Sequence, residues 1–204
     1  METNQFVGII GGLLSLFAYI PYWRSIYKPN GTRPQRASWL IWIFSDTLLF
    51  ATSFALGATD SLYVLGAYVF GTVVTFLISI KKGEGGTHWF DIACLLITIV
   101  SGFLWWKTGN PYLSLLINLA IVAIGCIPSI IKIVRDPYSE DLFSFVFWTT
   151  GSLLGLVSVL LGDIVTIQLL IQPIVFVILQ LIIVITIIGK RSIILRNKKS
   201  PANG

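Results

Sequence analysis

Long apolar runs, parted by short polar or turn-forming segments, follow one another along the 204-residue chain. Seven of them, near 6–23, 38–57, 61–80, 89–106, 111–134, 143–162 and 164–188, approach the roughly 20 residues that carry a helix across about 30 Å of hydrocarbon. The first run lacks a basic leader and belongs to the repeat described next, so it is expected as a span and not as a cleaved signal peptide.

The pattern occurs twice. Pro21 in Tyr19-Ile20-Pro21-Tyr22 returns as Pro128 in Cys126-Ile127-Pro128-Ser129, Trp42 returns as Trp148, and Phe70 returns as Phe176. The offsets are 107, 106 and 106 residues, which one loop indel reconciles. Spans 1–3 thus form one unit and spans 5–7 another, with span 4 left over. Three spans finish on the side opposite their start, so a single intervening span lets both units run the same way, as parallel repeats. The expected fold is an all-α membrane protein of seven transmembrane helices: two parallel three-helix bundles and a linker helix. Within one membrane domain, 1–204, the first unit covers 1–83, the linker helix 84–108, the second unit 109–192 and a basic cytoplasmic tail 193–204.

Composition agrees with a bilayer. At 55% apolar and 11% charged residues, the chain has too little polar surface to cover itself in water. The net charge of +5 would suit nucleic acid, but the charges are not gathered for it: 24–37, 81–88, 132–142 and 189–204 hold thirteen of the fourteen Lys and Arg residues, and the alternate segments hold only Lys107. By the positive-inside rule the N-terminus is outside and the C-terminus cytoplasmic. The expected location is the plasma membrane, with the basic tail against anionic lipid. Cys94 and Cys126 fall in apolar runs without a CxxC partner, His88 sits in a glycine-rich loop, and no triad, P-loop or paired carboxylates appear. Neither an enzyme nor a cofactor or metal is expected.

Polar residues inside apolar runs are the candidates for function. Asp46 is the acid well inside a span, where an ionised carboxylate costs about 2.5–3.5 kcal/mol and is partnered or functional. It reads either as a proton- or cation-binding group or as a structural Asp bonded to a neighbouring helix. Trp42, Asp46, Leu49 and Ser53 share a face of span 2, and Trp148, Ser152 and Gly155 the matching face of span 6. The paired Trp residues suit either a solute sandwich or interfacial anchoring. Tyr68 and Thr72 belong to a polar stripe on span 3, Gln168 and Gln172 mark span 7, and Asn118 marks span 5. Together they predict a central polar cavity that binds an uncharged or zwitterionic small solute, although each alone also serves as helix glue. Gly8, Gly12 and Ser15 share a face of span 1 and predict close packing. Pro21 and Pro128 weaken their helices and read as hinges or as fixed kinks. Arg33 or Arg36 is expected to pair with Glu140 or Asp141 as an inner gate.

These features resemble the PQ-loop superfamily, which includes the SWEET and SemiSWEET sugar transporters. The likeness rests on the 3+1+3 plan and on a Pro near the inner end of spans 1 and 5. Each Pro is followed by basic residues (Arg24 and Lys28; Lys132 and Arg135), a turn, and Ser with an aromatic residue (Ser38-Trp39; Ser144-Phe145). It implies alternating access between two units, with Pro21 and Pro128 as hinges. The Gln that the family places after Pro is Tyr22 in one copy and Ser129 in the other, and the literal Pro34-Gln35 lies in the basic loop. Spans 3 and 7 lack the Asn of sugar pockets. A non-transporting receptor, as among the KDEL-type sorting receptors, is the alternative implied by the same fold.

Overall fold

The computed structural model describes residues 2–29, 31–34, 36–83 and 89–199, apart from the side chains at 90, 91, 128 and 197–199. The loop residue His88 and Gln35 lie outside the described residues. Those described form seven helices and no strand: α1 Thr3–Ile26, α2 Arg36–Ala55, α3 Leu62–Lys82, α4 Trp89–Thr108, α5 Pro111–Arg135, α6 Leu142–Leu160 and α7 Ile167–Lys199. Six are long and apolar enough to cross a membrane, and the chain is a multi-pass integral membrane protein. The remaining helix, α4, fills the fourth predicted run with a shorter described apolar stretch, Ile92–Thr108.

Local chemistry sets several ends. Asn110 accepts from the backbone N–H groups of Tyr112 and Leu113 and starts α5, with Pro111 in the first turn where no N–H is needed. Asp141 caps α6 by accepting from Ser144 N at 2.8 Å. Gly57 (φ 90°) and Gly109 (φ 65°) follow α2 and α4 in the left-handed region that glycine enters without steric cost. α7 departs from expectation: it continues as helix to Lys199, through residues assigned to a separate tail. Hydropathy marks where the bilayer ends, and no proline stands between 188 and 199 to stop the helix, which continues through Gly189. Arg191, on that extension, donates from Nε to Pro137 O and from Nη2 to Glu140 O, both at 3.0 Å.

α1 packs on α3 and α6; α2 packs on α3, α4 and α5; α5 also meets α4 and α7; α6 meets α7 and, over a small area, α3. Small residues set how closely α1 approaches its neighbours. A Cβ added at Gly12 would lie 2.8 Å from Tyr63 O, and one at Gly11 would lie 2.9 Å from Gly151 O. Gly8 meets the Asp60 backbone in the same way, and Ser15 is fully buried beside Gly151. The expected small-residue face is therefore a packing face, turned to the α2–α3 loop through Gly8, to α3 through Gly12 and to α6 through Gly11 and Ser15. Trp23 Nε1 donates to Thr75 Oγ1 at 2.8 Å and ties the other end of α1 to α3. α1 and α7 run unbroken through Pro21 and Pro173, and α5 through position 128.

Larger side chains on the α1–α6 contact must push backbone from backbone. Gly11→Leu and Gly151→Leu are each expected to cost about 1–3 kcal/mol, the usual range for overpacking. Gly66→Ala, whose Cβ would meet only Phe50 at 3.7 Å, is expected to leave stability unchanged. Thermal unfolding of the detergent-solubilised protein measures all three.

Candidate functional site

A cavity of about 130 Å³ lies inside the bundle, enough for a small solute or several waters. Its wall comes from α1 (Tyr19, Tyr22), α2 (Trp39, Trp42, Asp46), α3 (Tyr68, Thr72), α5 (Val122, Cys126, Ser129), α6 (Phe145, Trp148) and α7 (Phe176, Leu179, Gln180, Ile183), with Glu140 from the α5–α6 loop. Among the described residues, α4 contributes nothing to it.

The wall is a network of rings. Trp39 packs edge-on against Trp42 at 4.8 Å between centroids and at a tilt against Tyr22 at 5.4 Å; Tyr22 meets Trp148 at 5.7 Å, and Trp148 meets Tyr19 at 4.9 Å. This chain of contacts crosses from α2 through α1 to α6. Tyr68 is the polar hub. Its hydroxyl lies 2.8 Å from Ser152 Oγ and accepts from Gln180 Nε2 at 2.9 Å, which joins α3, α6 and α7. Asp46 is 7% exposed, within reach of the Thr72 hydroxyl and near the Tyr19 and Tyr68 phenols. No ion pair reaches it from any described residue. Two polar atoms of wall residues, Trp148 Nε1 and Gln180 Oε1, are buried without a hydrogen-bond partner.

Of the expected site residues, Asp46, Trp42, Trp148, Tyr68 and Thr72 meet on this wall, and Ser152 supports Tyr68 from behind it. Asn118 does not reach it: fully buried, it donates to Ser101 Oγ of α4 at 2.9 Å and to Ser114 O at 3.0 Å. Gln172 is buried outside the wall, and Gln168 is exposed. The expected Arg36 gate pairing is not formed either. Arg36 donates to Ser79 O and Gly83 O at the end of α3, both at 3.0 Å; Ser79 O also accepts the Gly83 N–H at 2.8 Å, and Gly83 O lies beyond the last turn of the helix. Glu140 instead pairs with Lys132 at 3.1 Å, and Asp141 is occupied as the α6 cap. Arg33 lies exposed on the loop before α2.

Tyr19, Tyr22, Trp39, Phe145 and Gln180 went unrecognised in the sequence, yet the repeat contains the signal. At the expected offsets of 107 and 106, Tyr19 matches Cys126, Tyr22 matches Ser129, Trp39 matches Phe145 and Trp42 matches Trp148, and all eight line the cavity. The third helices need a different register. Phe70, the expected mate of Phe176, is 57% exposed on the outside of the bundle, while Phe176 is buried on the wall. Two residues turn a helix by about 200°. An offset of 108 matches Tyr68 with Phe176 and Thr72 with Gln180, and again every member lines the cavity.

A second recess, about 620 Å³, lies at the opposite end among the start of α1, the α2–α3 loop and the α6–α7 loop. Glu2, Asp60 and Asp163 line it, and Asn4 Nδ2 donates to Asp60 Oδ2 at 2.8 Å. Comparison with protein-family models, with curated proteins and with solved structures gives no match.

Burial pushes the Glu140 carboxyl above the ordinary carboxylate range, and the Lys132 ammonium offsets part of that rise. A carboxyl raised on folding contributes stability below its unfolded pKa, and that stability is lost as pH climbs through the raised value. Glu140→Gln, which cannot ionise, is therefore expected to match wild type in acid and to exceed it increasingly as pH rises. Melting temperatures of both proteins between about pH 4 and 8 test the sign.

Proposed function

We propose that this chain is a small-solute membrane transporter of the PQ-loop type. It works by alternating access between two parallel three-helix units, α1–α3 and α5–α7, joined by α4, and Asp46 couples movement to protons. The carrying observation is the cavity wall: six pairs of residues at matched positions of the two units face one chamber. The helix contacts support the same reading. Exchanging α1 with α5, α2 with α6 and α3 with α7 maps the α1–α3, α2–α3 and α1–α6 contacts onto α5–α7, α6–α7 and α2–α5. In both units the wall residues come from the end of the first helix and the beginning of the second, as units running the same way require.

With the basic loops inside, the chamber reaches toward the cytoplasm at Glu140, and the glycine contact of α1 with α6 and α3 closes the outer side. Opening outward means parting that contact, with Pro21 and Pro128 as the points where α1 and α5 give. The matching position to Asp46 is Ser152, so one unit alone carries the acid. Its charge is changed by taking up or releasing a proton, which is how a pH gradient is felt inside a low-dielectric chamber.

Reconstituted vesicles screened with a panel of small polar solutes test the reading. Uptake is expected to respond to an imposed pH gradient, and Asp46→Asn is expected to abolish that response while the protein remains folded. Uptake indifferent to the gradient would remove the coupling. Ligand-induced thermal stabilisation without any flux would favour a receptor and remove transport.

A further inference from the structure

The chamber's chemistry narrows its occupant. We infer that it binds a small organic cation: an alkylammonium group held against the ring wall and opposite Asp46, on a molecule that also carries a hydroxyl or carbonyl oxygen. This names a substrate class for the site proposed above and rests on the transport reading only for what the binding accomplishes.

Three observations carry it. Eight of the seventeen wall residues are aromatic, and aromatic faces attract cations, most strongly where water is excluded. The aromatic contacts from Trp42 through Trp39, Tyr22 and Trp148 to Tyr19 place these rings side by side around one small volume. The charge of the wall points the same way. Its two carboxylates differ, since Glu140 already holds Lys132 while Asp46 has no cationic partner among the described residues. A buried carboxylate offers about four acceptor sites; the neighbouring Thr72 hydroxyl has one proton, contested by Tyr68 O at 2.9 Å, and can meet at most one of them. The unpartnered atoms supply the remaining contacts. Gln180 Oε1 requires a donor and Trp148 Nε1 an acceptor, which an ammonium-bearing molecule with one oxygen provides.

Other occupants fit less well. An anion would face Asp46. A sugar would lose most of its hydroxyl hydrogen bonds against the rings, at a cost for each group left unpaired. The recess at the opposite end repeats the sign, for Glu2, Asp60 and Asp163 line it with no Lys or Arg among its described lining residues. Carboxylates around a low-dielectric mouth concentrate cations there.

Choline and its uncharged carbon isostere, 3,3-dimethylbutan-1-ol, separate charge from shape. Titration of the purified full-length protein in detergent, followed by tryptophan fluorescence, is expected to show choline binding about tenfold or more tightly than the isostere. Asp46→Asn should erase that preference. Trp148→Phe should weaken choline more than tetramethylammonium, which has no oxygen to receive the indole N–H. Equal binding of choline and the isostere overturns the assignment, and so does the absence of binding by choline, tetramethylammonium and ethanolamine alike. The wild-type comparison needs no variant, so a misfolded Asp46→Asn protein does not shield the idea. Choline binding without vesicle uptake upholds this assignment while removing the carrier reading; uptake of neutral solutes with no cation binding does the reverse.

Discussion

The closeness of α1 to α6 depends on Gly11 facing Gly151, where backbone meets backbone with no side chain between. Lipid tails are as apolar as leucine, so membrane helices gain little by hiding apolar surface from lipid; close van der Waals contact and interhelical hydrogen bonds hold them together. Glycine provides that contact at the α1–α6 crossing, Gly12 provides it between α1 and α3, and Gly8 between α1 and the loop that leads into α3. With α1 so placed, Tyr19 and Tyr22 come against Trp148 and Trp39, and Tyr68 comes within bonding distance of α6 and α7. The ring wall follows from this placement.

Against that wall stands a single awkward group. Burying Asp46 is expensive, and its surroundings hold a threonine hydroxyl and two phenols but, among the described residues, no cation. The arrangement contrasts with Glu140, where Lys132 lies at 3.1 Å and Arg191 holds the loop through backbone carbonyls. One carboxylate is built into a structural joint; the other is left facing a space. That difference, more than the identity of either residue, separates the structural joint from the candidate site.

Much of this was readable from the chain and some was not, for physical reasons. Hydropathy located the helices to within a few residues because lipid tolerates no unsatisfied backbone, but it missed the extension of α7, which leaves the apolar zone while staying helical. Asp46, Trp42, Trp148, Tyr68 and Thr72 were found as polar or aromatic interruptions of apolar runs. The same rule misplaced Asn118 and Gln172, since a polar residue in a span indicates only that it avoids lipid. Asn118 turned out to face α4, not the chamber. Gln180 and Tyr19 were hidden by a two-residue error in register and by a match, Tyr19 with Cys126, that shares position but not chemistry. The expected Arg36 gate pairing is not formed because Arg36 donates to carbonyls at the end of α3, while Glu140 is taken by Lys132 and Asp141 by the start of α6.

The absence of α4 from the chamber wall, among the described residues, has a consequence of its own. It is bound from the side, through Ser101 to Asn118 and through Thr98 to Ser45, where the two hydroxyls lie 3.4 Å apart. In the proposed two-unit arrangement it therefore works as a tether. It holds each half at a high effective concentration for the other and prevents a flipped partner from docking. Two separate three-helix chains inserted in the same direction would carry every wall residue between them, and would need only affinity where this protein relies on covalent connection.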